Sequence, residues 1–500
     1  MNNTSDEKRM PARRSLGEGG TNNAIGYETV IGLEVHLQLG TETKAFCGCS
    51  TDFGKPANSQ TCPVCLGFPG SLPVLNEKAF LYSIRVALAL GCSIQNLIKF
   101  DRKNYYYPDL PKNFQISQYD MPLSYNGHVD IICGGSKKRV RIKRVHLEED
   151  AGKLIHPAKA NHSLVDFNRC GMPLLEIVTE PDISSPQEAY DYLTALKAIL
   201  QYLKVSDCDM EKGSLRCDAN ISLRKAGDKN LGVKVEIKNM NSFKGVREGL
   251  QYEVERQAAA LDSKEKIFQE TRLWDAQKSV TLSMRSKEEA NDYRYFPEPD
   301  LVPFTVDKKV IEDIRKALPE LPDARMKRFV ASHGMTEYDA RVLTGDVAIA
   351  DYFEECVLSY PNKKAAANWI TGDIMAAMNE KNIQISQLKV APKALVELLK
   401  MIDSQAISGK IAKEVIAEMI GTGKGPQDIV KEKNLAQISD KGAIEQAVKD
   451  ALAKNEKSVV DYRSGKKTAL TFLVGQVMRQ TKGKANPAIV NELLKKHLGE

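Results

Sequence analysis

Short segments in which apolar and polar residues alternate recur along the first 300 residues of the chain. Clear examples are TVIGLEVHLQL (29–39), RVRIKRVHLEED (139–150), RCDANISLR (216–224) and VKVEIKN (233–239). A period of two is the spacing of residues on one face of a β-strand, and clusters of Gly, Pro and Asn separate the segments. The pattern predicts a mainly antiparallel sheet with one apolar and one polar face.

Helical stretches also occur inside this region, and helical spacing dominates after it. SPQEAYDYLTALKAILQYLKV (185–205) begins with Ser185 as a predicted N-cap and Pro186 at the first helical position. After DYRYFPEPDLVPF (292–304), Ala-, Lys- and Glu-rich helical patterns take over. We therefore predict an α+β fold with a disordered tail over 1–26, a large sheet domain over 27–303, a helical domain over 304–408 and a small, basic, all-α domain over 409–500.

Composition narrows the class of protein. Of 500 residues, 42% are hydrophobic and 27% charged, the mean hydropathy is -0.36, and no apolar run approaches the ~18 residues of a membrane span. The N-terminus lacks the apolar stretch of a secretory signal, and ten cysteines without one indicate a reducing compartment. We expect a soluble, cytoplasmic protein with no membrane partner.

Positive charge is concentrated at the C-terminal end. The chain carries a net charge of +6, and residues 411–500 contain 16 Lys and Arg against 11 Asp and Glu. A basic helical surface over 461–484 suits a phosphate backbone, and a solvated lysine-rich helix is the alternative. The candidate RNA contacts are Arg463, Lys466, Lys467, Arg479, Lys482 and Lys484.

Four cysteines lie close together in FCGCSTDFGKPANSQTCPVC (46–65). Two pairs of thiolates on short loops are what tetrahedral Zn²⁺ requires, and a packed set of free thiols is the alternative. Four thiolates leave no coordination position on the zinc open for water. The zinc would therefore hold a loop in place and would not activate a nucleophile. The predicted zinc ligands are Cys47, Cys49, Cys62 and Cys65.

Carboxylates, imidazoles and cations recur on the polar faces of the alternating segments. Carboxylates with imidazole suit Mg²⁺ or Mn²⁺, and interspersed Lys and Arg suit phosphate oxygens. A solvated outer sheet face is the alternative, and the chain has no P-loop motif. The segments align Glu34 with His36; Arg144 with His146 and Glu148, next to Glu149; Arg216 with Asp218, Asn220, Ser222 and Arg224; and Lys234 with Glu236 and Lys238. The candidate phosphate contacts are Arg144, Arg216, Lys234 and Lys238.

Several longer stretches carry a family signature. They are IGLEVHLQL, TKAFCGC, CPVCLGFPGSLPVLN, FDRKNYYYPDLPKNFQISQYD, VHLEEDAGK, DFNRCGMPLLEIVTEPD, GSLRCDANISLR, KVEIKNMNSF and DYRYFPEPDL, followed by ANWITGD and GQVMRQTKGKANP. In these stretches the chain resembles the GatB family, one of the subunit families of the aspartyl/glutamyl-tRNA amidotransferases. Asn113 and Cys170 depart from the family's pattern without removing a charged residue.

The resemblance implies an ATP-dependent ligase reaction. The side-chain carboxylate of Glu on tRNA(Gln), or of Asp on tRNA(Asn), is phosphorylated by ATP and then amidated with ammonia. Phosphorylation is needed because oxide is a poor leaving group and phosphate is a good one. The family's metal-binding catalytic positions, for Mg²⁺ or Mn²⁺, fall on Glu34, His36, Glu148, Glu149, Asp218 and Glu236.

The resemblance also implies partners. A separate amidase subunit, GatA, releases ammonia from glutamine, and a small subunit, GatC, braces the heterotrimer. The sheet domain would be a catalytic cradle, and the tail domain would contact the mischarged tRNA by shape, for example at its elbow. The rival hypothesis is a non-catalytic tRNA-binding scaffold, in which the acidic residues have no role in ATP chemistry.

Overall fold

The computed structural model describes residues 26–157, 160–286, 293–436, 441–481 and 484–499. The chain divides into two units, Met1–Leu321 and Pro322–Glu500. The first contains the sheets and the second is helical, which confirms the α+β prediction. The tail predicted over 1–26 lies, apart from Gly26, outside the described residues.

The strands all belong to the first unit. They are β1 Tyr27–Gln38, β2 Ser93–Ile94, β3 Leu97–Ile98, β4 Asp101–Asn104, β5 Phe114–Ser117, β6 Ser124–Cys133, β7 Ser136–Glu149, β8 Lys153–Ile155, β9 Leu164–Asp166, β10 Pro173–Thr179, β11 Leu215–Lys225, β12 Val235–Lys238, β13 Glu270–Asp275, β14 Val280–Ser286, β15 Arg294–Pro297 and β16 Phe304–Thr305.

Helices occur in both units. They are α1 Pro63–Leu66, α2 Glu77–Ala89, α3 Pro186–Leu203, α4 Phe243–Asp262, α5 Lys308–Lys316, α6 Pro322–His333, α7 Glu337–Thr344, α8 Val347–Ser359, α9 Lys363–Trp369, α10 Met375–Lys381, α11 Pro392–Asp403, α12 Gly409–Thr422, α13 Pro426–Glu432, α14 Lys441–Lys454, α15 Glu456–Arg463, α16 Thr468–Gln480 and α17 Pro487–Leu498. A π-helical turn, Ile370–Ile374, joins α9 to α10, and a 3₁₀ turn follows at Ile385–Gln387.

A nine-stranded sheet in the order β14-β13-β12-β11-β1-β10-β7-β6-β2 forms the centre of the first unit. Neighbouring strands are antiparallel except β12 and β13, which are parallel. On β1, Ile31, Leu33, Val35 and Leu37 are buried in the main hydrophobic core, together with residues of α2, α3 and α4. The helices therefore cover the apolar face of the sheet, as the alternation predicts, and the polar face lies on the other side.

Helix α3 begins where the sequence indicates. Ser185 is its N-cap, with its hydroxyl accepting a hydrogen bond from the Glu188 N–H at 3.1 Å, and Pro186 occupies the first turn. The missing N–H of proline costs nothing there, because the first N–H groups of a helix have no intrahelical partner.

A separate three-stranded sheet, in the order β15-β4-β5, contributes a second polar surface. Tyr295 of β15 lies opposite Lys103 of β4, and Lys103 lies opposite Gln115 of β5. Residues that are directly opposite on neighbouring strands point to the same side of a sheet. These three side chains therefore share one face.

Two hydrophobic clusters form the second unit. One is built from residues between Met326 and Val430, and the other from residues between Ile444 and Leu498. Helices α12 and α13 contribute to the first cluster, whereas α5 packs in the first unit against α2. The domain boundaries after residues 303 and 408 stay predictions. None of the helices in the described ranges combines the length and apolar character that a membrane crossing requires.

Candidate active site and cysteine cluster

The register of the large sheet brings the predicted acidic residues into one row. Glu34 of β1 lies opposite Asp218 of β11, and His36 lies between Arg216 of β11 and Glu176 of β10. Glu176 in turn lies opposite His146 of β7. Because cross-strand partners share a face, carboxylates and imidazoles from β11, β1, β10 and β7 line the same side of the sheet.

Three of these side chains form a compact group: His36, Glu148 and Glu176. One ligand atom from each lies within 4.8 Å of the other two, which is close enough for all three to hold one metal ion. His36 Nε2 is 3.5 Å from Glu176 Oε2, and His146 Nε2 is 3.6 Å from the same oxygen. Ser117 donates a hydrogen bond of 3.0 Å to Glu148 Oε2, which fixes that carboxylate.

Opposite charges act against the effect of burial on the pKa values of His36, Glu148 and Glu176. Burial acts to lower the pKa of His36, but the hydrogen bond and charge of Glu176, with Glu148 adding to them, raise it overall. Burial acts to raise the pKa of Glu176, yet the charges of His146 and His36 hold it well below the usual value. The pKa of Glu148 is lowered in the same way, against burial, by His146.

A second acidic group continues the row across β11 and β12. Lys238 Nζ lies 2.5 Å from Asp218 Oδ2 and 3.3 Å from Glu236 Oε1. Thr271 donates a 2.8 Å hydrogen bond to Glu236, and Asn220 donates a 3.0 Å hydrogen bond to Glu34. Lys238 is thus an ion-pair partner of the predicted metal ligands.

A cavity of about 260 Å³ lies over the row, between the polar face of the large sheet and the three-stranded sheet. Two cations, Arg216 and Lys103, line the cavity, and a third, Arg144, lies beside Glu176 of the row. Arg216 donates a 2.7 Å hydrogen bond to Asp150, and Arg144 lies 3.7 Å from Glu176. Among the described residues, no carboxylate oxygen comes within 4.0 Å of Lys103 Nζ. The lining residues are His36, Lys103, Tyr105, Gln115, Glu148, Asp150, Ala151, Leu174, Arg216 and Asp218.

Two predicted site residues are not brought into this row. Glu149 points to the other side of β7, where Lys112 Nζ forms an ion pair with it and the Ile116 N–H donates to it at 3.0 Å. Lys234 precedes β12 and is exposed. Alternation from Glu148 places Glu149 on the opposite face of β7, and Lys234 is outside the row because β12 begins at Val235.

Two residues of the site were not singled out in the sequence. Glu176 is the lone acidic residue of PLLEIVT, a segment buried on both sides, so it shows no alternation. Lys103 belongs to the short strand β4 of the other sheet. Glu176 could have been identified from the sequence as the only charged residue of an otherwise apolar strand. A buried charge requires a partner, so such a residue is a candidate for a site.

The four predicted zinc ligands converge. Their four Sγ atoms all lie within 4.8 Å of one another; the residues are Cys47, Cys49, Cys62 and Cys65. The Cys62 N–H donates to Cys65 Sγ at 3.2 Å. All ten cysteines of the chain are free of disulfides.

Lys44 lies against this cluster with a side chain that is 0% exposed. Its Nζ donates to the Gln60 carbonyl at 2.7 Å and the Phe167 carbonyl at 3.4 Å, and it lies 3.8 Å from Cys65 Sγ. The pKa of Cys65 is lowered by a hydrogen bond from Cys47, and Lys44 adds to that effect. The charge of Lys44 therefore favours the thiolate form of Cys65, which is the form that binds a metal.

The basic residues predicted to contact RNA that the structure describes lie on α15 and α16 or in the segments next to these helices. Arg463, Lys466, Lys467 and Arg479 are exposed. Lys484 is half-buried, and its Nζ donates to the Asn434 carbonyl. Lys482 lies outside the described residues.

Two family models match the chain. The GatB/GatE catalytic domain matches residues 29–312, which include the acidic row and the cysteine cluster, and the GatB domain matches residues 351–498. The chain belongs to the GatB family. The resemblance given by the sequence signatures is thereby confirmed.

Similar curated proteins span nearly the whole chain. The GatB protein of the aspartyl/glutamyl-tRNA(Asn/Gln) amidotransferase of Carboxydothermus hydrogenoformans is 56% identical over 95% of this chain and 99% of its own length. The proteins of the same name from Caldicellulosiruptor bescii and Brevibacillus brevis are 55% and 54% identical, each over 94% of this chain and 99% of their own length. Membership of the GatB family makes this chain a subunit of a tRNA-dependent amidotransferase, an enzyme of the ligase class.

Proposed function

We propose that this chain uses ATP to phosphorylate the side-chain carboxylate of Glu on tRNA(Gln), of Asp on tRNA(Asn), or of both, and then amidates the acyl phosphate. The supporting observation is the acidic row: His36, Glu148 and Glu176 converge below a cavity whose opposite wall presents Lys103. Anionic ligands of a metal ion and a cation facing them are the two requirements of phosphoryl transfer without a protein nucleophile.

The residues present fit a hard divalent cation. Two carboxylates and one imidazole offer ligand atoms within 4.8 Å of one another, and Glu34, Asp218 and Glu236 continue the acidic row. Mg²⁺ or Mn²⁺ held there would neutralise charge on the transferring phosphoryl group.

The chain's own cations would position the phosphates. Arg144 Nε and Arg216 Nε are buried and have no hydrogen-bond partner among the described residues, as expected of groups that await an anionic ligand. Lys103 approaches from the other sheet, and the charges of Glu148 and Glu176 raise its pKa against the effect of burial. It therefore stays protonated and can bind a phosphate oxygen.

The remaining parts of the proposal concern partners and place. Ammonia would come from the amidase subunit GatA, with GatC bracing the heterotrimer, because free ammonia is mostly non-nucleophilic ammonium at neutral pH. The exposed residues Arg463, Lys466, Lys467 and Arg479, with Lys482 and Lys484, would contact the tRNA backbone. A reaction on aminoacyl-tRNA fits the cytoplasm.

The cysteine cluster would hold a structural Zn²⁺. The fit is supported by Lys44, because a fully buried ammonium requires a negative partner, and four neutral thiols do not supply one. Four thiolates around Zn²⁺ carry a net negative charge, which Lys44 would partly compensate. The ion would hold the loop that carries Cys47 and Cys49 to the helix that carries Cys65.

The proposal is tested by Glu148→Gln in the assembled amidotransferase. The assay follows ADP and amide formation on Glu-tRNA(Gln) and on Asp-tRNA(Asn) with ammonium chloride as the nitrogen source. Removing one carboxylate of the metal group should lower both products at least 100-fold, because phosphoryl transfer depends on that charge. Glutaminase activity should be unchanged.

The matched control is Glu28→Gln, on the same strand and face as His36 but eight residues away, or about 27 Å. Glu28 pairs with Arg224 and does not line the cavity. Both activities should stay near wild type in this variant. ATP-dependent amidation that survives Glu148→Gln would instead favour the scaffold hypothesis and refute the proposal.

A further inference from the structure

Tyrosine side chains occupy the face of the three-stranded sheet that looks into the cavity. Tyr295 is on the same face as Lys103. Tyr105 follows Lys103 by two residues, and Tyr293 precedes Tyr295 by two residues. Lys103 and Tyr105 both line the cavity. Lys103 Nζ lies 4.8 Å from the centre of the Tyr293 ring, and the Tyr105 and Tyr293 rings are 5.5 Å apart.

One pair in this group is stacked and partly open. The rings of Tyr119 and Tyr295 are 4.2 Å apart and inclined by only 15°. Tyr295 is half-buried, whereas Tyr119 is 54% exposed. The Tyr119 N–H donates to Asp101 Oδ2 at 3.0 Å, which holds its backbone in place. The stack therefore presents an accessible aromatic ring on a fixed support.

The stacked pair adjoins the cavity through Lys103, which lies opposite Tyr295 and lines the cavity with Glu148. Burial raises the pKa of Tyr295, and the charges of Glu148 and Glu176 raise it further, against Lys103 and Arg144.

We propose that the purine base of ATP stacks on Tyr119, with its triphosphate extending from Tyr295 past Lys103 and over the acidic row. The assignment rests on the proposed function and deepens it by placing the base. It follows from contiguity: Tyr119 stacks on Tyr295, Tyr295 lies opposite Lys103 on the same face of its sheet, and Lys103 lines the cavity together with Glu148 of the metal group. A nucleoside triphosphate needs a ring platform, a cation and a metal in that order. Any base has a π-face that can stack, and such contacts need no hydrogen-bond readout.

The test uses Tyr119→Ala and Tyr119→Phe in the assembled amidotransferase. The measurements are the dissociation constants of Mg-ATP and of Mg-tripolyphosphate by calorimetry, and KM for ATP and for Glu-tRNA(Gln) with ammonium chloride. Because a base–aromatic stack contributes about a tenfold factor in affinity, Tyr119→Ala should raise both the dissociation constant and KM of ATP about tenfold. Tripolyphosphate binding should not change, and kcat at saturating ATP should fall much less than KM rises.

Two variants control for indirect effects. Tyr119→Phe keeps the ring and should stay within about twofold of wild type for ATP. Tyr190→Ala removes a ring from α3, which packs on the apolar side of the sheet, and should leave ATP affinity unchanged. Folding of each variant is checked by its melting temperature.

Three outcomes would count against the assignment. ATP affinity that is unchanged in a folded Tyr119→Ala variant overturns it, as does an equal loss in the Phe variant. A rise in KM for Glu-tRNA(Gln) with normal ATP binding would assign the ring to the acceptor end of the tRNA instead. A wild-type complex that binds ATP through Tyr119 but forms no amide would refute the proposed function and leave this assignment standing.

Discussion

Replacement of Lys44 by Met separates a zinc site from a cluster of free thiols, because the two hypotheses predict effects of opposite sign. Met is close to Lys in length and carries no charge. At the observed 3.8 Å between Lys44 Nζ and Cys65 Sγ, an effective dielectric constant of about 20 gives an attraction of about 4 kcal/mol. Part of this is offset by the cost of burying the ammonium.

With zinc bound, loss of the ammonium should weaken the site. A net loss of about 1.4 to 2.8 kcal/mol corresponds to zinc that binds 10- to 100-fold more weakly, which is the usual range for a residue that supports metal ligands. The measurements are the Zn²⁺ dissociation constant by chelator competition and the Co²⁺-thiolate absorption of the Co²⁺-substituted protein. Lys44→Arg should retain part of the affinity.

With free thiols, the ammonium would be buried without a full counter-charge, and Lys44→Met should then raise the free energy of unfolding. Lys78→Met is the control, because Lys78 is exposed on α2 of the same unit and its charge has no role in the cluster. A more stable Lys44→Met protein with no bound metal in the wild type would refute the reasoning. Unchanged zinc affinity would do the same for the proposed role of Lys44.

Three further predictions concern zinc, acid stability and RNA. Cys62→Ser should release zinc, measured by elemental analysis, and lower the melting temperature; unchanged stability in a zinc-free wild type would make the thiols incidental. Arg139, against a smaller effect of burial and with help from Lys137, lowers the pKa of Asp130 to about 2. That stabilisation is complete above about pH 5 and is lost as the pH falls through 2, so Asp130→Asn should cost about 1 kcal/mol in urea unfolding at pH 7 and almost nothing near pH 1. Arg479→Ala should weaken tRNA binding for all sequences and reduce the slope of log affinity against log salt by about 1, and an unchanged slope would exclude a phosphate contact.

The polar face of the sheet could be predicted because its strands are half-buried. In β1, β11 and β12, apolar residues alternate with charged ones, so each strand shows which residues share a face. The register does not follow from this pattern. Glu34 lies opposite Asp218 because of the register in which β1 pairs with β11. This register depends on pairing between segments almost 200 residues apart, and alternation within each strand does not determine it.

The same argument explains what the sequence did not indicate. Strand β10 is buried on both sides, so Glu176 stands in an apolar run that is equally typical of a core strand. Lys103 and the tyrosines come from a second sheet, whose position over the first is a tertiary feature with no local periodicity. Alternation therefore predicts the wall of the cavity that the large sheet forms. The wall that the three-stranded sheet forms could not be predicted without the tertiary structure.

Gly171 lies between the cysteine cluster and the end of β7, the strand that carries Glu148. Gly171 has a φ of 83°, and a Cβ placed on it would lie 3.4 Å from both the Cys65 Cβ and the Lys44 Cδ, and 3.7 Å from a Glu149 carboxylate oxygen. Glu149 in turn holds Lys112 on the side of β7 opposite to Glu148. A loop stapled at Cys65 thus packs directly behind the strand that presents Glu148 to the cavity. This contact would give a zinc ion without an open coordination position a structural role in this domain, because the ion would fix the strand that carries a proposed ligand of the second metal.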